Sequence, residues 1–312
     1  MGQRPIILDG GMGRELLRMG APFRQPEWSA LTLIEAPQFV ARAHAAFVAA
    51  GAEVLTTSNY AVVPSSLGAA RFAAEGSRLT DLAGGLARAA AAQAERPIRV
   101  AGSLPPLFGS YRPDRFDPAA AEPVLARLVD ALDPHVDLWL AETLSSTAEA
   151  RSCRSALRAD ARPLWLSFTL DDDGSIERPT LRSGETIAAA VEAAVELGAE
   201  ALLFNCSQAE LMAGAVTLAH AAPESPDAGL EIGVYANALP PQAKDYEPDS
   251  PLDVLRRDLD PTAYLDLART WVERGATIIG GCCGIGPAHI AALRRGLAPQ
   301  GRVAAQGETQ PE

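Results

Sequence analysis

The chain has 312 residues, 48% of them hydrophobic and 21% charged, which is the composition of a globular protein and a length that suits one α/β barrel. Its net charge of −12 argues against a nucleic-acid-binding surface, which needs clustered lysine and arginine. No uninterrupted apolar run reaches the length that spans a membrane.

Eight short apolar segments recur along the chain, and stretches with helical patterning lie between them. Runs of this length and composition are typical of β-strands that are buried on both faces. The last of them ends in two adjacent cysteines. The predicted strands are Pro5–Gly11, Glu53–Tyr60, Ile98–Ser103, Leu138–Leu144, Leu164–Leu170, Ala201–Ser207, Glu231–Ala238 and Thr277–Cys283.

Helical segments separate the strands, and alanine is abundant in them. Proline near the first turn and glycine at the end mark several of their boundaries. A long polar loop, Pro240–Asp260, follows the seventh strand. The predicted helices are Met12–Met19, Ala36–Gly51, Ala69–Ala94, Pro118–Asp133, Ser146–Arg158, Gly184–Leu197, Glu210–Ala222, Pro261–Gly275 and Pro287–Leu297.

Strands that alternate with helices predict a parallel sheet covered by helices on both faces. Eight such units over this length fit a single (β/α)₈ TIM barrel better than an open doubly wound sheet. The first strand–helix turn also lacks the GxGxxG pattern of dinucleotide-binding folds. We therefore predict one α/β barrel domain at residues 1–300 and a disordered tail at Gly301–Glu312.

The four cysteines bear on the compartment. The amino terminus lacks a charged segment followed by a long apolar stretch, so no signal peptide is predicted. Nothing else points to secretion, so we expect reduced thiols and a cytoplasmic protein. Cys153 falls within a helical pattern and is expected to be structural.

Polar residues cluster where the predicted strands end, and barrels of this kind carry their functional residues at those ends. Cys206 lies at the end of the sixth strand, and Cys282 and Cys283 lie at the end of the eighth. Three thiolates make most of a tetrahedral zinc site and leave the fourth position open for chemistry. The alternative is that they are small buried apolar side chains, as free cysteines often are. We predict a Zn²⁺ site at the mouth of the barrel.

Four sequence elements together resemble one family. They are Asp9-Gly10-Gly11-Met12, Glu142-Thr143-Leu144, Asn205-Cys206-Ser207 and Gly280-Gly281-Cys282-Cys283-Gly284. In this order they resemble the homocysteine S-methyltransferase family, and most closely its S-methylmethionine-dependent members. Betaine–homocysteine methyltransferase and the homocysteine domain of methionine synthase are relatives. The resemblance runs from Pro5 to Leu297, and it implies a zinc-bearing barrel that methylates homocysteine to methionine.

The resemblance also implies roles for single residues. Cys206, Cys282 and Cys283 would hold Zn²⁺ and act in catalysis through it. Asp9 and Glu142 would bind the ammonium group of homocysteine, although a turn or a helix cap also explains acidic residues there.

Three further positions are assigned to substrate binding. Gly10 and Thr57 would line the amino-acid pocket, although Thr57 also fits a residue that satisfies a strand end. Asn237 would occupy the fourth zinc position without substrate, or make a loop hydrogen bond.

The methyl donor is predicted to be a sulfonium compound, S-methylmethionine in the first place and S-adenosylmethionine in the second. A sulfonium is cationic, and the predicted mouth carries Asp9 and Glu142 and no lysine. The loops Gly102–Tyr111 and Tyr235–Pro240 depart from the family pattern, which leaves betaine open. In that case Arg112 or Arg115 would pair with the betaine carboxylate.

Other functions stay open at this stage. A betaine or other thiol or selenol methyltransferase of the same fold is one, and a non-catalytic zinc- or thiol-binding barrel is another. A zinc hydrolase is disfavoured because none of the four histidines lies at a predicted strand end. The expected partners are homocysteine and a small methyl donor, without nucleic acid or membrane, and the sequence allows a homo-oligomer.

Overall fold

The computed structural model describes residues 4–223, 229–243 and 254–298. Eight parallel strands in these residues form one sheet. The strands are β1 (Ile6–Ile7), β2 (Val54–Thr56), β3 (Arg99–Leu104), β4 (Leu138–Leu144), β5 (Leu164–Phe168), β6 (Ala201–Asn205), β7 (Glu231–Tyr235) and β8 (Ile278–Ile279).

The strand order is β1-β8-β7-β6-β5-β4-β3-β2, so the first and second strands lie at the two ends of the sheet. A parallel bridge between Leu8 and Val54 joins those ends. The amide of Asp9 also donates to the carbonyl of Val54 at 3.1 Å. The sheet therefore closes on itself, and the predicted (β/α)₈ barrel is confirmed.

Helices surround the sheet, as the alternating sequence pattern predicts. Two short ones, which precede longer helices, are absent from the prediction, and neither has a side-chain hydrogen bond at its N-cap to mark its start. The α-helices are α1 (Met12–Arg18), α2 (Ser29–Glu35), α3 (Pro37–Ala50), α4 (Pro64–Leu67), α5 (Ala69–Ala92), α6 (Pro118–Leu132), α7 (Thr147–Leu157), α8 (Ile187–Glu196), α9 (Ala209–Ala221), α10 (Pro261–Glu273) and α11 (Pro287–Gly296). In the described part of the chain, none of them has both the length and the apolar character needed to cross a bilayer.

Side chains alternate between two cores along each strand, because successive strand residues point to opposite faces. In β4, Leu138 and Leu140 belong to a cluster with Trp165 and Leu203 inside the barrel. Trp139 and Ala141, which alternate with them, pack in the larger cluster between sheet and helices. Strands that are buried on both sides explain the near-continuous apolar runs of the sequence.

The first and last strands are shorter than predicted. The segments Pro5–Gly11 and Thr277–Cys283 keep only two residues each in regular pairing. Of their remaining residues, Leu8 still bridges to Val54, and the amides of Gly280 and Cys282 still donate to the carbonyls of Val234 and Ala236 at 2.9 Å. Both strands therefore end near the mouth in single backbone hydrogen bonds instead of a regular ladder. The predicted tail from Gly301 and the middle of the loop Pro240–Asp260 lie outside the described residues, so the domain boundary stays a prediction.

Candidate active site

A cavity of about 320 Å³ opens at the carboxyl ends of the strands. The same alternation that fills the barrel with leucine places polar residues in its uppermost layer, where the strands end. Aromatic side chains from the loops form part of the wall. Among the lining residues are Asp9, Gly10, Thr57, Glu142, Cys206, Cys282, Cys283, Trp28, Tyr60, Phe108 and Tyr111.

Three cysteines come together in this cavity. The sulfurs of Cys206, Cys282 and Cys283 all lie within 4.8 Å of one another, and those of Cys206 and Cys283 are 3.9 Å apart. Tetrahedral zinc with bonds of about 2.3 Å to sulfur requires a separation of about 3.8 Å between its sulfur ligands. The spacing and the soft thiol donors therefore fit a zinc ion with an open fourth position.

Backbone geometry brings these thiols to one point. Cys206 follows β6 in the left-handed region, with φ of 49°. Cys282 and Cys283 lie in the turn after β8, where Gly11 packs so closely that an added Cβ would lie 2.3 Å from the carbonyl oxygen of Cys282. The fourth cysteine, Cys153, is buried within α7 and is not part of the cluster.

The three thiols differ in pKa. Hydrogen bonding to the neighbouring thiols, together with burial, holds the pKa of Cys282 well above its usual range. Hydrogen bonds from Cys206 and Cys282 lower the pKa of Cys283, and the guanidinium of Arg14 acts in the same direction. Cys283 is thus the one thiol of the three whose charged form the surroundings favour, and a metal cation would favour the thiolate form of all three.

Two buried carboxylates face the same cavity. Asp9 accepts hydrogen bonds from the backbone amide of Thr56 at 2.8 Å and from its hydroxyl at 3.2 Å. Burial raises the pKa of Asp9 to about 8, and the Glu142 carboxylate adds to that increase. Burial likewise raises the pKa of Glu142 to about 7, against a short hydrogen bond of 2.5 Å from the Ser103 hydroxyl. Such groups gain from a bound cation, which favours their charged form.

A network of hydrogen bonds holds Ser103, the hydrogen-bond donor to Glu142, in place. The Thr57 hydroxyl donates to Asn59 Oδ1 at 2.6 Å and accepts from the backbone amide of Ser103 at 2.9 Å. The Asn59 side chain in turn donates to the carbonyl of Ser103 at 3.0 Å. Thr57 therefore lines the cavity and also satisfies a strand end, and its contact with the amino-acid substrate stays a prediction.

Of the other two predicted substrate residues, Gly10 lines the cavity, whereas Asn237 contacts Cys206 without being among the lining residues. Gly10 lies so close to the turn that precedes α11 that an added Cβ would be 2.2 Å from the carbonyl oxygen of Ile285. Asn237 accepts a hydrogen bond from the Leu239 amide at 3.1 Å, and its side-chain nitrogen faces the Cys206 sulfur at 3.8 Å. This is the loop hydrogen bond of the two alternatives, and the role of fourth metal ligand stays a prediction.

A model of the family "Homocysteine S-methyltransferase" matches residues 6–297. The chain belongs to the homocysteine S-methyltransferase family. The resemblance found in the sequence is thereby confirmed, and the chain is an enzyme of the methyltransferase class.

Individual members of the homocysteine S-methyltransferase family align with this chain over nearly its full length. The chain is 30% identical to the homocysteine S-methyltransferase of Escherichia coli, with 93% of this chain and 94% of the relative covered. It is 25% identical to the selenocysteine methyltransferase of Astragalus bisulcatus, over 92% and 90% of the two chains. The metallated crystal structure of the Escherichia coli homocysteine methyltransferase MmuM superposes with a TM-score of 0.74 at 28% identity, covering 94% and 96%.

Several cavity residues of this homocysteine S-methyltransferase family member were not assigned a role from the sequence. Tyr111 and Tyr60 reach the cavity from loops, and Arg14 reaches it from α1. Of the two arginines considered for betaine, Arg115 lines the cavity, and Arg112 pairs with Asp114 at 2.7 Å. Loop residues carry no periodic signal, so only their proximity to strand ends could have drawn attention to them.

Backbone strain also concentrates at the site. Five non-glycine residues in the described part of the chain have positive φ, and four of them line the cavity: Trp28, Tyr111, Thr143 and Cys206. Such conformations cost of order 1–3 kcal/mol each and persist where the surrounding structure enforces them.

Proposed function

We propose that the chain transfers a methyl group from a sulfonium donor, S-methylmethionine in preference to S-adenosylmethionine, to the thiol of homocysteine, giving methionine. Zn²⁺ held by Cys206, Cys282 and Cys283 is the proposed cofactor. One observation carries the proposal: three sulfurs within 4.8 Å of one another share a cavity with two buried carboxylates. That combination suits an amino acid with a thiol at the end of its side chain.

The metal would supply the reactive form of homocysteine. Zinc coordination deprotonates a thiol at neutral pH, and only the thiolate is a good nucleophile. The attacking sulfur then forms a bond to the methyl carbon while the bond from that carbon to the sulfonium sulfur breaks. The electron pair stays on the donor sulfur, which leaves as a neutral thioether. The thiol proton is lost to solvent before the transfer, so atoms and charge balance.

The residues of the chain supply orientation. Asp9 and Glu142 would bind the homocysteine ammonium, and the hydroxyl of Ser103 keeps the Glu142 carboxylate in place. Holding both reactants in line removes much of the entropic cost of a bimolecular reaction. Arg14 and Arg115, which line the same cavity, are candidate partners for substrate carboxylates.

The donor preference follows from the wall of the cavity. Trp28, Tyr60 and Phe108 bring aromatic rings to the space beside the cysteines, and aromatic faces attract sulfonium cations as they attract other cations. A volume of about 320 Å³ is near the lower end of the usual range of about 300–1,000 Å³ for small-molecule pockets. A small donor such as S-methylmethionine fits this size better than one that carries an adenosyl group.

A donor panel tests the proposal. Zinc-loaded enzyme is incubated with homocysteine and S-methylmethionine, S-adenosylmethionine or betaine, and methionine is measured by mass spectrometry with a labelled methyl group. We expect turnover with S-methylmethionine, slower turnover with S-adenosylmethionine and none with betaine. Selenocysteine is included as a second acceptor, because one relative bears that name.

Each other outcome has a defined meaning. Turnover with betaine alone, lost when Arg112→Ala and Arg115→Ala are combined, would assign the chain to betaine-type enzymes. Zinc and homocysteine binding without turnover on any of these donors would overturn the proposed sulfonium donor and point to a donor outside the panel.

A further inference from the structure

Tyr111 makes a direct contact with the thiol cluster. Its hydroxyl lies 3.0 Å from the sulfur of Cys206 and 3.1 Å from the carbonyl oxygen of the same residue. The side chain is 6% exposed, so water does not compete freely for the hydroxyl. A phenol has one proton to donate, and a sulfur that carries negative charge is the stronger acceptor of the two.

The aromatic ring of Tyr111 is itself held in place. The guanidinium carbon of Arg182 lies 5.4 Å from the ring centroid. Arg182 is buried and donates to the carbonyl oxygens of Gln242, at 2.7 Å, and of Ala243. The ring therefore packs beneath a fixed cation that also binds the loop after β7, and the hydroxyl has little freedom to move off the sulfur.

Both ends of this hydrogen bond have an unusual backbone. Tyr111 has φ of 65° and Cys206 has φ of 49°, which are left-handed values that these residue types rarely adopt. The conformation of Cys206 directs its thiol toward Cys283, 3.9 Å away, and that of Tyr111 brings the hydroxyl to the same sulfur. Strained backbone persists only where the surrounding structure enforces it. Its presence at both residues of this hydrogen bond therefore indicates that the fold holds the hydroxyl and the sulfur together.

We propose that Tyr111 is a positioning residue of the metal centre, whose hydroxyl holds the Cys206 sulfur in the orientation that binds the metal and withdraws charge from it. The inference rests on the proposed zinc site and adds to it a residue that touches a ligand and not the metal. Hydrogen bonds of this kind orient metal ligands, and their loss typically costs 10- to 100-fold in metal affinity or activity. A phenol keeps its proton at neutral pH, so Tyr111 acts as the donor in this contact.

Tyr111→Phe isolates the hydroxyl, because it keeps the ring under Arg182. Zinc affinity is measured by competition with a chromophoric chelator, and we expect it to fall at least about 10-fold. Tyr60→Phe is the matched control, since it removes a phenol hydroxyl from the same cavity that pairs with Ser110 at 2.7 Å. Its zinc affinity should stay within about twofold of wild type, because that hydroxyl is not bonded to a sulfur.

A second measurement does not depend on affinity. Cobalt(II) replaces zinc, and the sulfur-to-cobalt charge-transfer absorption is recorded for wild type and both variants. Loss of a hydrogen bond to one sulfur should shift that band in Tyr111→Phe and leave it in place in Tyr60→Phe. If Tyr111→Phe fails to fold, 3-fluorotyrosine at position 111 serves instead, since its more acidic hydroxyl should shift the band in the opposite direction.

Wild-type zinc affinity together with an unshifted cobalt band in Tyr111→Phe would overturn the inference. Failure of the proposed function looks different, because it appears in the wild-type protein as absence of zinc or absence of methyl transfer. The two outcomes are therefore distinguishable in one set of samples.

Discussion

Glu142 offers the sharpest test among single residues. Glu142→Gln keeps the shape of the side chain and removes its charge, so the proposed ammonium contact loses its ionic partner. Removing one partner of a desolvated charge pair lowers the binding free energy by about 2–5 kcal/mol. We expect the KM for homocysteine to rise at least about 30-fold while zinc content, measured by elemental analysis, stays at one per chain.

Glu149→Gln is the control for that experiment. Glu149 is also buried, and burial raises its pKa to about 7 as well. It accepts hydrogen bonds from Ser145 and Ser146 at the start of α7 and does not line the cavity. Its replacement should alter stability and leave the KM unchanged. An unaltered KM in Glu142→Gln would remove that residue from the binding site.

His44 predicts a pH dependence of stability. It is fully buried in α3, and neither ring nitrogen has a hydrogen-bond partner within the described residues. Burial lowers its pKa from 6.5 to about 4. Between these values the unfolded chain binds a proton that the folded chain does not. The contribution to stability is therefore complete above pH 6.5 and is lost as pH falls toward 4.

The size of this effect can be measured by difference. From pH 7.5 to pH 5, His44 should account for about 2 kcal/mol of lost unfolding free energy. His44→Leu should lack that loss, as followed by urea unfolding at each pH. The comparison with wild type matters because buried carboxylates with raised pKa, such as Glu149, act in the opposite direction. Parallel curves for the two proteins would contradict the prediction.

At the scale of elements, periodicity predicted the strands and most of the helices well. Runs such as Leu138–Leu144 and Ala201–Asn205 are buried throughout, so their apolar composition is explained by the two cores. The ends were predicted less well, because regular pairing stops at Ile7 and Ile279 while the apolar and glycine-rich sequence continues. Strand limits depend on which partner strand supplies the hydrogen bonds, and one sequence segment does not contain that information.

Only part of the candidate site could likewise be predicted from the sequence. Residues at strand ends, such as Asp9, Glu142 and Cys206, could be brought together from the sequence because a barrel places all its strand ends at one mouth. Tyr111 and Arg182 could not, because their contacts join loops after β3, β5 and β7 that are far apart in the chain. Loop conformation follows from tertiary packing, and no local pattern encodes it.

Asp172 provides a prediction about these loops. Its carboxylate accepts hydrogen bonds from the backbone amides of Gln208 and Gln242, both at 2.9 Å, and so ties the loop after β5 to the loops after β6 and β7. Asp172→Asn leaves one carbonyl oxygen for two amides. Hydrogen bonds to charged groups contribute about 1.5–3 kcal/mol, so we expect amide exchange near residues 237–243 to quicken at least about 10-fold.

The neighbouring Asp173, exposed on the same turn, gives the matched substitution. Asp173→Asn should leave hydrogen–deuterium exchange at residues 237–243 as it is in wild type. Equal exchange in Asp172→Asn and wild type would show that the carboxylate does not hold the loops together.

For the whole molecule, the proposed metal should join two distant strands and stabilise the fold. A ligand that binds only the folded state at 100 times its Kd adds about 2.7 kcal/mol. With an unfolding entropy of about 2.1 cal/mol/K per residue, 1 kcal/mol corresponds to about 1.5 °C for a chain of 312 residues, so chelation should lower the thermal midpoint by about 4 °C. Differential scanning fluorimetry with and without chelator measures the shift.

Cysteine variants show where that stabilisation arises. Combining Cys206→Ala, Cys282→Ala and Cys283→Ala should abolish both the chelator effect and the zinc content. Cys153→Ala should keep both, because this thiol is buried in α7 away from the cluster. Stoichiometric zinc in the triple variant would refute the assignment of the three ligands.

The separation of Cys206 and Cys283 by 77 positions, with β8 as the final strand of the barrel, has a consequence for biosynthesis. At about 5–20 residues per second, a ribosome needs roughly 4–15 s to add the second thiol after the first. For that interval Cys206 exists in a nascent chain whose partners have not yet been made. Capture of the proposed metal would therefore be a late event, completed only when the carboxyl-terminal strand inserts between β7 and β1.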